Sequence, residues 1–556
     1  MSTRDERGRD VVRQSGLTSV AAGLAIASGL LLDVVIAARY GAGAETDAFF
    51  LAASIPLGIV AIVMVGANQA LVPTISTWIL KKDLSESWRL CSILLAGSLV
   101  LGGALVAAVS VLAWPLMRVI GPGLSGEQVD LAASLARILF LVVPLVGAAE
   151  ILRALLNARY SFFAPAVMHV VLNAVAVSIV IAWGDGIRVV AWAYVAGAAA
   201  QLLFMLVVSV RRGFRPTATL ALRDPDVVAA GRLLVRPLAG AGLNPVARVA
   251  ERALVSFLPP GSITLLSYGY RLISAIGGSV LFRSVMVALL PRLTEEGHQE
   301  DPGEFRATTR LGVRIMLAIS IPLTSLMGVL AVPATIAVFN RGSLTRDEAQ
   351  LLGVALAVYA GSLVGSAWQR AMLAPFFAKL DTRVPLRNTA YGVVANLALV
   401  PLLVLPFGHD SADGIVGVAA AYSLAQYVNV AHAWYRMRRD LDIHLDGMGG
   451  FVWRLVVASV AMTGVLLGGY AALDLGSPLG RWRLLLETGA VAIAGTAAFA
   501  LTLRLIGGGE FTDLTRSFRR RPPRTRTDPP DGATATSGRP APEASTPGPG
   551  ATDSRT

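Results

Sequence analysis

Ionisable residues interrupt several of the most apolar stretches of this chain. Asp33 lies in the first of them, Glu150 and Arg153 toward the end of the fourth, Arg248, Glu251 and Arg252 in the seventh, and Arg271 and Arg283 in the eighth. Each such group costs at least about 2.5–3.5 kcal/mol at bilayer depth, so it must face a cavity or a partner. If the seventh stretch ends near Leu258 and the eighth begins near Ser262, a rise of 1.5 Å per residue sets Arg248 and Arg271 at one level, roughly 14 Å below the outer surface. Arg252 then lies higher, close to the level of Asp33, and can pair with it. A guanidinium offers forked donors that match phosphate oxygens, so two mid-depth arginines suit an anionic headgroup. Two arrangements satisfy these charges: an anion-facing cavity, or pairing inside the bundle in which the arginines only neutralise Asp33 and Glu251. In the first, seventh and eighth stretches four arginines stand against two acids, which leaves positive charge over.

The elements that hold these groups are membrane spans. The chain has 556 residues, 54% of them hydrophobic and 15% charged, with a mean hydropathy of +0.63. About fourteen apolar blocks approach the 20 residues needed to cross the hydrocarbon core as a helix. The fold class expected is therefore an all-α polytopic membrane protein of about 14 transmembrane helices. The alternation of transmembrane strands is absent. With residues 1–16 as a polar cytoplasmic segment, one side of the membrane receives Lys81, Lys82, Arg211, Arg212, Arg215, Arg223, Lys379, Arg383, Arg387, Arg436, Arg438 and Arg439. The other side receives acids such as Glu45, Asp47, Glu127, Asp130, Asp347 and Glu348. This positive-inside asymmetry predicts a bacterial cytoplasmic-membrane protein with both termini in the cytoplasm. It also accounts for the net charge of +12 without nucleic acid.

An internal repeat divides the spans. LLNARYSFFAP around Ala158 matches APFFAKLDTRVP around Ala378, and QALVPTIS around Pro73 matches VALLPRLT around Pro291, both at an offset of about 220 residues. Six spans separate the copies, an even number, so they are parallel six-helix repeats with a path between them. The resulting domains are an N-lobe over 17–211, a linker over 212–227, a C-lobe over 228–440 and two extra C-terminal helices over 451–506. A basic, Pro-rich tail over 507–556 is expected to be disordered. A single cysteine, Cys91, and five histidines in no ligand spacing argue against a metal centre. With no phosphate loop or nucleophile–base set either, the chain is expected to be a transporter that needs no cofactor rather than an enzyme.

The segment from Tyr40 to Phe50 (YGAGAETDAFF) resembles the signature of the MurJ/MviN family, lipid II flippases within the multidrug, oligosaccharidyl-lipid and polysaccharide exporter superfamily. The likeness continues through Pro56, Pro73, the LLNARYSFFAP element, the Gly261 to Pro291 segment, and Phe376, Phe377, Ala378, Asp381, Thr382 and Pro385. It implies two six-helix lobes plus two helices, exporting an undecaprenyl-pyrophosphate-linked cell-wall precursor by alternating access. It also implies a cationic cavity containing Arg271, an acidic residue at the outer mouth of helix 2 at Asp47, and a helix-1 aspartate at Asp33. The chain departs from the family at Ile26, Leu32 and Val60, where members carry arginines, and Arg248 and Arg252 are the candidates to replace them. The site expected is thus Arg271, Arg248 and Arg252 for the substrate, with Asp33, Asp47 and Glu251 as gate or ion-pair residues. Its partners would be an anionic lipid-linked sugar, membrane lipids and cell-wall synthesis proteins. The alternatives are a flippase for another lipid-linked oligosaccharide or polysaccharide, an ion-coupled drug exporter, and a non-transporting scaffold for wall synthesis. A drug exporter would need an acidic cavity for cationic drugs, which the excess of arginine argues against.

Overall fold

The computed structural model describes residues 3–278, 281–298, 302–408, 411–476 and 480–507. The stretch 508–556, which holds the expected disordered tail, lies outside them. Helices dominate, and the one β contact among the described residues is a bridge between Arg341 and Leu344. The N-lobe runs through α1 (Thr3–Tyr40), α2 (Ala44–Gly66), α3 (Val72–Lys81), α4 (Leu84–Ile120), α5 (Gly126–Leu139), α6 (Val142–Ala158), α7 (Phe163–Trp183) and α8 (Arg188–Arg211). The C-lobe runs through α9 (Pro225–Val255), α10 (Ser262–Gly278), α11 (Leu281–Glu296), α12 (Pro302–Phe339), α13 (Arg346–Ala378), α14 (Arg383–Val404) and α15 (Gly414–Leu441). Two further helices, α16 (Met448–Ala472) and α17 (Arg481–Gly507), pack on each other and along α12.

Twelve helical segments of the described residues are long and apolar enough to cross a membrane. The seventh and eighth expected spans are not among them. Six charged residues dilute the apolar character of α9, namely Asp226, Arg232, Arg236, Arg248, Glu251 and Arg252. The eighth expected span covers α10 and the start of α11, which lie on either side of residues 279–280, outside the described set. Two helices also begin ahead of the spans expected for them. The helix α1 already begins at Thr3, within the polar segment 1–16. The helix α9 begins inside the stretch 212–227 assigned to the linker, because Asp224 caps it (its Oδ1 accepts from Asp226 N at 3.0 Å) and Pro225 occupies the first turn, where no N–H is needed.

The repeat is visible as one turn built twice. Both α6 and α13 end in a left-handed residue that is not glycine, Tyr160 (φ 57°) and Leu380 (φ 58°). In the first copy Ser161 N donates to Leu156 O at 2.9 Å, and in the second Asp381 N donates to Phe376 O at 2.9 Å. Those bonds span six residues and close the helix in the manner of a Schellman turn. Pro165 and Pro385 then sit in the first turns of α7 and α14, where the missing N–H costs nothing.

A strap joins the lobes at the end that carries the basic loops, hereafter the basic end. Trp78, Trp88, Cys91 and Phe214 form a buried cluster in the N-lobe that also takes in Val227 and Ala230 of α9. Lys82 pairs with Asp226 at 2.7 Å and Arg89 with Asp224 at 2.9 Å. Burial raises the Asp224 carboxyl, but the Asp226 N–H and the Arg89 guanidinium outweigh it and hold the group below its ordinary value. Beyond this strap α9 lies between α2 and α14, one helix serving both lobes. A Cβ at Gly58 of α2 would stand 3.1 Å from Pro245 of α9, so the small residue sets how closely the two helices approach.

Candidate substrate cavity between the lobes

At the end opposite the strap, three contacts clasp the lobes. The Asp47 carboxylate in the first turn of α2 accepts from Gly261 N at 2.7 Å, Thr264 N at 2.8 Å and Thr264 Oγ1 at 2.6 Å. It therefore caps α10 from another helix, satisfying N–H groups that have no partner within α10 and meeting the positive end of its dipole. Asp47, expected as a gate or ion-pair residue, forms no ion pair among the described residues. Among the described residues its partners are a helix terminus and a hydroxyl, because the chain around Gly261 (φ +98°) turns the first N–H groups of α10 toward it. In the second contact Ser343 N donates to Ala38 O at 2.8 Å and Ser343 Oγ to Arg39 O at 3.0 Å. In the third Gly123 N donates to Ser256 Oγ at 3.0 Å. A Cβ on Gly123 would collide with the Ser256 carbonyl, so the approach is one that only glycine permits.

Below the clasp α2, α9 and α10 enclose a cavity of about 200 Å³ that Arg248, Arg252 and Arg271 all line, with Phe50, Ser54 and Tyr270. The structure thus brings the three expected substrate arginines together. Their partners differ from the expected ones. Asp33, 2% exposed, pairs with Arg271 at 2.5 Å, and Tyr194 Oη lies 3.5 Å from the same guanidinium. Arg252 does not reach Asp33. It donates to Phe50 O at 3.0 Å and to Ser267 Oγ at 3.2 Å. Ser267 and Arg271 are one turn apart on α10 and share a face, so Arg271 takes the acid and Ser267 is left to Arg252. Arg248 lies over the Tyr270 ring at 4.2 Å and forms no ion pair among the described residues. Arg283 lies in α11, with a side chain outside the described set.

Glu251, also expected as a gate or ion-pair residue, is held by an amide. Its buried carboxylate accepts from Asn396 Nδ2 at 3.3 Å and, among the described residues, pairs with neither neighbouring arginine. One helical turn beyond Arg248, it lines a separate cavity of about 280 Å³ inside the C-lobe, enclosed by α9, α10, α13, α14 and α15. Arg248 and Tyr270 border both cavities. On the other side of α9 an apolar groove of about 410 Å³ runs between α2, α4 and α9, and shares Ser54, Gly58 and Pro245 with the arginine cavity.

In the N-lobe Arg153 pairs with Glu150 at 2.5 Å and donates to Asn68 Oδ1 at 2.7 Å and Met64 O at 3.4 Å. These bonds brace a π-helical turn, Ala67–Leu71, between α2 and α3, where the Met64 carbonyl accepts from the Ala67 N–H and also from Asn68 Nδ2 and Arg153. Asn173 donates across helices to Ser28 Oγ at 3.0 Å, as expected of an intramembrane asparagine. Asn429 differs: its backbone carbonyl accepts from Asn388 at 2.7 Å, and its side-chain Oδ1 is buried without a partner. Sequence reasoning missed Tyr194, Ser267 and Tyr270 because hydroxyls and rings in a membrane span carry no charge signal.

Two lobes of parallel helical repeats with a charged cavity between them define an exporter-type transporter. The chain belongs to the MurJ family, described as lipid II flippase MurJ, whose pattern matches residues 36–476. A probable lipid II flippase MurJ of Vibrio cholerae serotype O1 is 27% identical over 504 residues, covering 86% of this chain and 93% of the relative. A lipid II flippase MurJ of Burkholderia cenocepacia is 26% identical over 459 residues, covering 79% and 86%. Among solved structures, a lipid II flippase MurJ in an inward closed conformation superposes with a TM-score of 0.72 at 18% identity, over 90% of this chain and all of that one. A multidrug resistance MATE family transporter in an inward-facing conformation superposes with a TM-score of 0.58 at 16% identity, over 77% of this chain and 95% of that one. These structural likenesses establish the shared fold.

Proposed function

We propose that this chain flips a lipid-linked, diphosphate-bearing cell-wall precursor of the lipid II kind, and that the arginine cavity holds the diphosphate. The observation that carries the reading is the convergence of Arg248, Arg252 and Arg271 on one cavity whose only paired acid is Asp33 among the described residues. Arg271 is largely neutralised by Asp33. Arg252 is held by uncharged acceptors and Arg248 by a ring, so two positive charges await an anion. The names of the relatives support the lipid class.

In this reading the chain crosses the membrane fourteen times, with α9 and the α10–α11 pair completing the count. The basic end faces the cytoplasm, following the positive-inside asymmetry, and both termini lie there. The clasp at Asp47, Gly123 and Ser343 then closes the outer side while the arginine cavity loads from within. Outward movement of each negative charge down an inside-negative potential releases about 2.3 kcal/mol per 100 mV, which can drive export without chemistry. The test is flipping of a fluorescent isoprenyl diphosphate sugar in reconstituted vesicles. Arg248→Ala should slow it about tenfold or more, since hydrogen bonds to a charged group contribute about 1.5–3 kcal/mol. Arg248→Lys should recover part of the loss. A wild-type rate in Arg248→Ala would remove the arginine cavity from the mechanism.

A further inference from the structure

We propose that the C-lobe cavity is a carbohydrate subsite that receives the sugar ring bonded directly to the diphosphate; the inference rests on the anion site proposed above. The cavity's polar wall includes Arg248, Arg370 and Glu251, but most of its polar side chains are uncharged. Asn396 and Asn429, each 6% exposed, stand in it with Gln369 and Gln426, and Glu251 closes its buried floor. Amide side chains both donate and accept, as sugar hydroxyls do.

Two further observations point to a ligand. The Oδ1 atoms of Asn396 and Asn429 are both buried with no hydrogen-bond partner. Buried amides are nearly always satisfied, so two idle acceptors in one cavity call for donors from outside the protein. Continuity identifies which donors. Arg248 and Tyr270 line this cavity and the arginine cavity alike, so a phosphate on Arg248 leaves its own substituent at the mouth of the amide-lined chamber. The cavity, at about 280 Å³, lies at the lower end of the range that encloses small ligands and is of a size for a single ring.

The test compares two lipids on the full chain in nanodiscs: an isoprenyl diphosphate carrying one N-acetylated sugar, and the same isoprenyl diphosphate without sugar. The wild type should bind the sugar-bearing lipid about tenfold or more tightly, because a site built for hydrogen bonds is left unpaired by the analogue that lacks them. Asn429→Leu with Gln426→Leu should collapse that ratio toward unity while the sugarless lipid still binds. If the double variant does not fold, Gln426→Leu alone, on the partly exposed wall, carries the comparison. Equal binding of the two lipids by the wild type, or an unchanged ratio in the variants, overturns the subsite. If sodium in place of choline stabilises the wild type and Asn429→Leu abolishes that shift with the ratio unchanged, the chamber holds a cation and the sugar assignment falls. If neither lipid binds, and Arg248→Ala changes nothing, the anion site itself fails and the subsite with it.

Discussion

The two lobes repeat one design, yet they place charge in the membrane differently. In the N-lobe the buried arginine, Arg153, is closed in a pair with Glu150 and spends its remaining donors on Asn68 and a backbone carbonyl, while the buried acids Asp33 and Asp47 are taken up by Arg271 and by the first turn of α10. In the C-lobe α9 and α10 carry Arg248, Arg252 and Arg271, which turn toward the gap between the lobes, and a buried Glu251 that no arginine neutralises directly. One half keeps its charge for structure, and the other offers it to a ligand. The same asymmetry accounts for the absence of α9 from the twelve segments that stand out as spans among the described residues. Residues that build a cationic cavity lower the hydropathy of the helices that carry them.

The comparison breaks most sharply at the two buried pairs. Arg271→Ala leaves the buried Asp33 carboxylate without its cation, and removal of one partner of a buried pair destabilises by about 3–5 kcal/mol. A large fall in thermal stability, with loss of flipping, is the expected result. Asp33→Asn with Arg271→Gln removes both charges and should recover most of the stability without recovering transport. The N-lobe pair should behave in the opposite way. Glu150→Met with Arg153→Met replaces a closed pair by apolar volume, which is often neutral or stabilising, and flipping should persist. Equal loss of transport in both double variants would show that the lobes do not divide the work as argued.

Much of this organisation was legible in the sequence, and the limits have physical causes. The offset near 220 residues identified the repeat because turn chemistry is local: Pro165 and Pro385 mark the same helix start in both copies. The arginines were legible because charge in an apolar stretch is rare. Their partners were not. Depth counting placed Arg252 beside Asp33, but the rotation of α10 about its axis, which no spacing encodes, gave that acid to Arg271. The amide chamber was hidden for a related reason. Its wall comes from α9, α13, α14 and α15, and each asparagine or glutamine alone is an ordinary interhelical residue.

The clasp provides a smaller and more directional effect. Asp47→Asn keeps the side-chain shape but removes the charge that faces the α10 dipole and replaces one of two accepting oxygens by an amino group, a loss of about 1–3 kcal/mol. Because α2 and α10 belong to different lobes, the loss falls on the closed arrangement of that end. Labelling of a Ser343→Cys thiol by a membrane-impermeant reagent should therefore quicken several-fold in the variant. Unchanged labelling would mean that Asp47 caps a helix without holding the lobes together.

The smallest predicted effect tests whether the lobes are alike where they ought to be. Tyr160 and Leu380 hold the left-handed conformation with side chains 80% and 83% exposed, so beyond an edge-on contact of Tyr160 with the Phe162 ring little packing offsets the strain. A side chain costs roughly 1–2 kcal/mol in that region, and glycine gives back about 0.5–1 kcal/mol through the greater freedom of the unfolded chain. Tyr160→Gly and Leu380→Gly should each raise stability by about 0.5–1 kcal/mol, read as a small upward shift in Tm with transport unchanged. The two shifts should match and should add, since the turns lie in different lobes and share no partner. Unequal shifts would place an additional load on one turn and show that the copies have diverged there as well as in their charge.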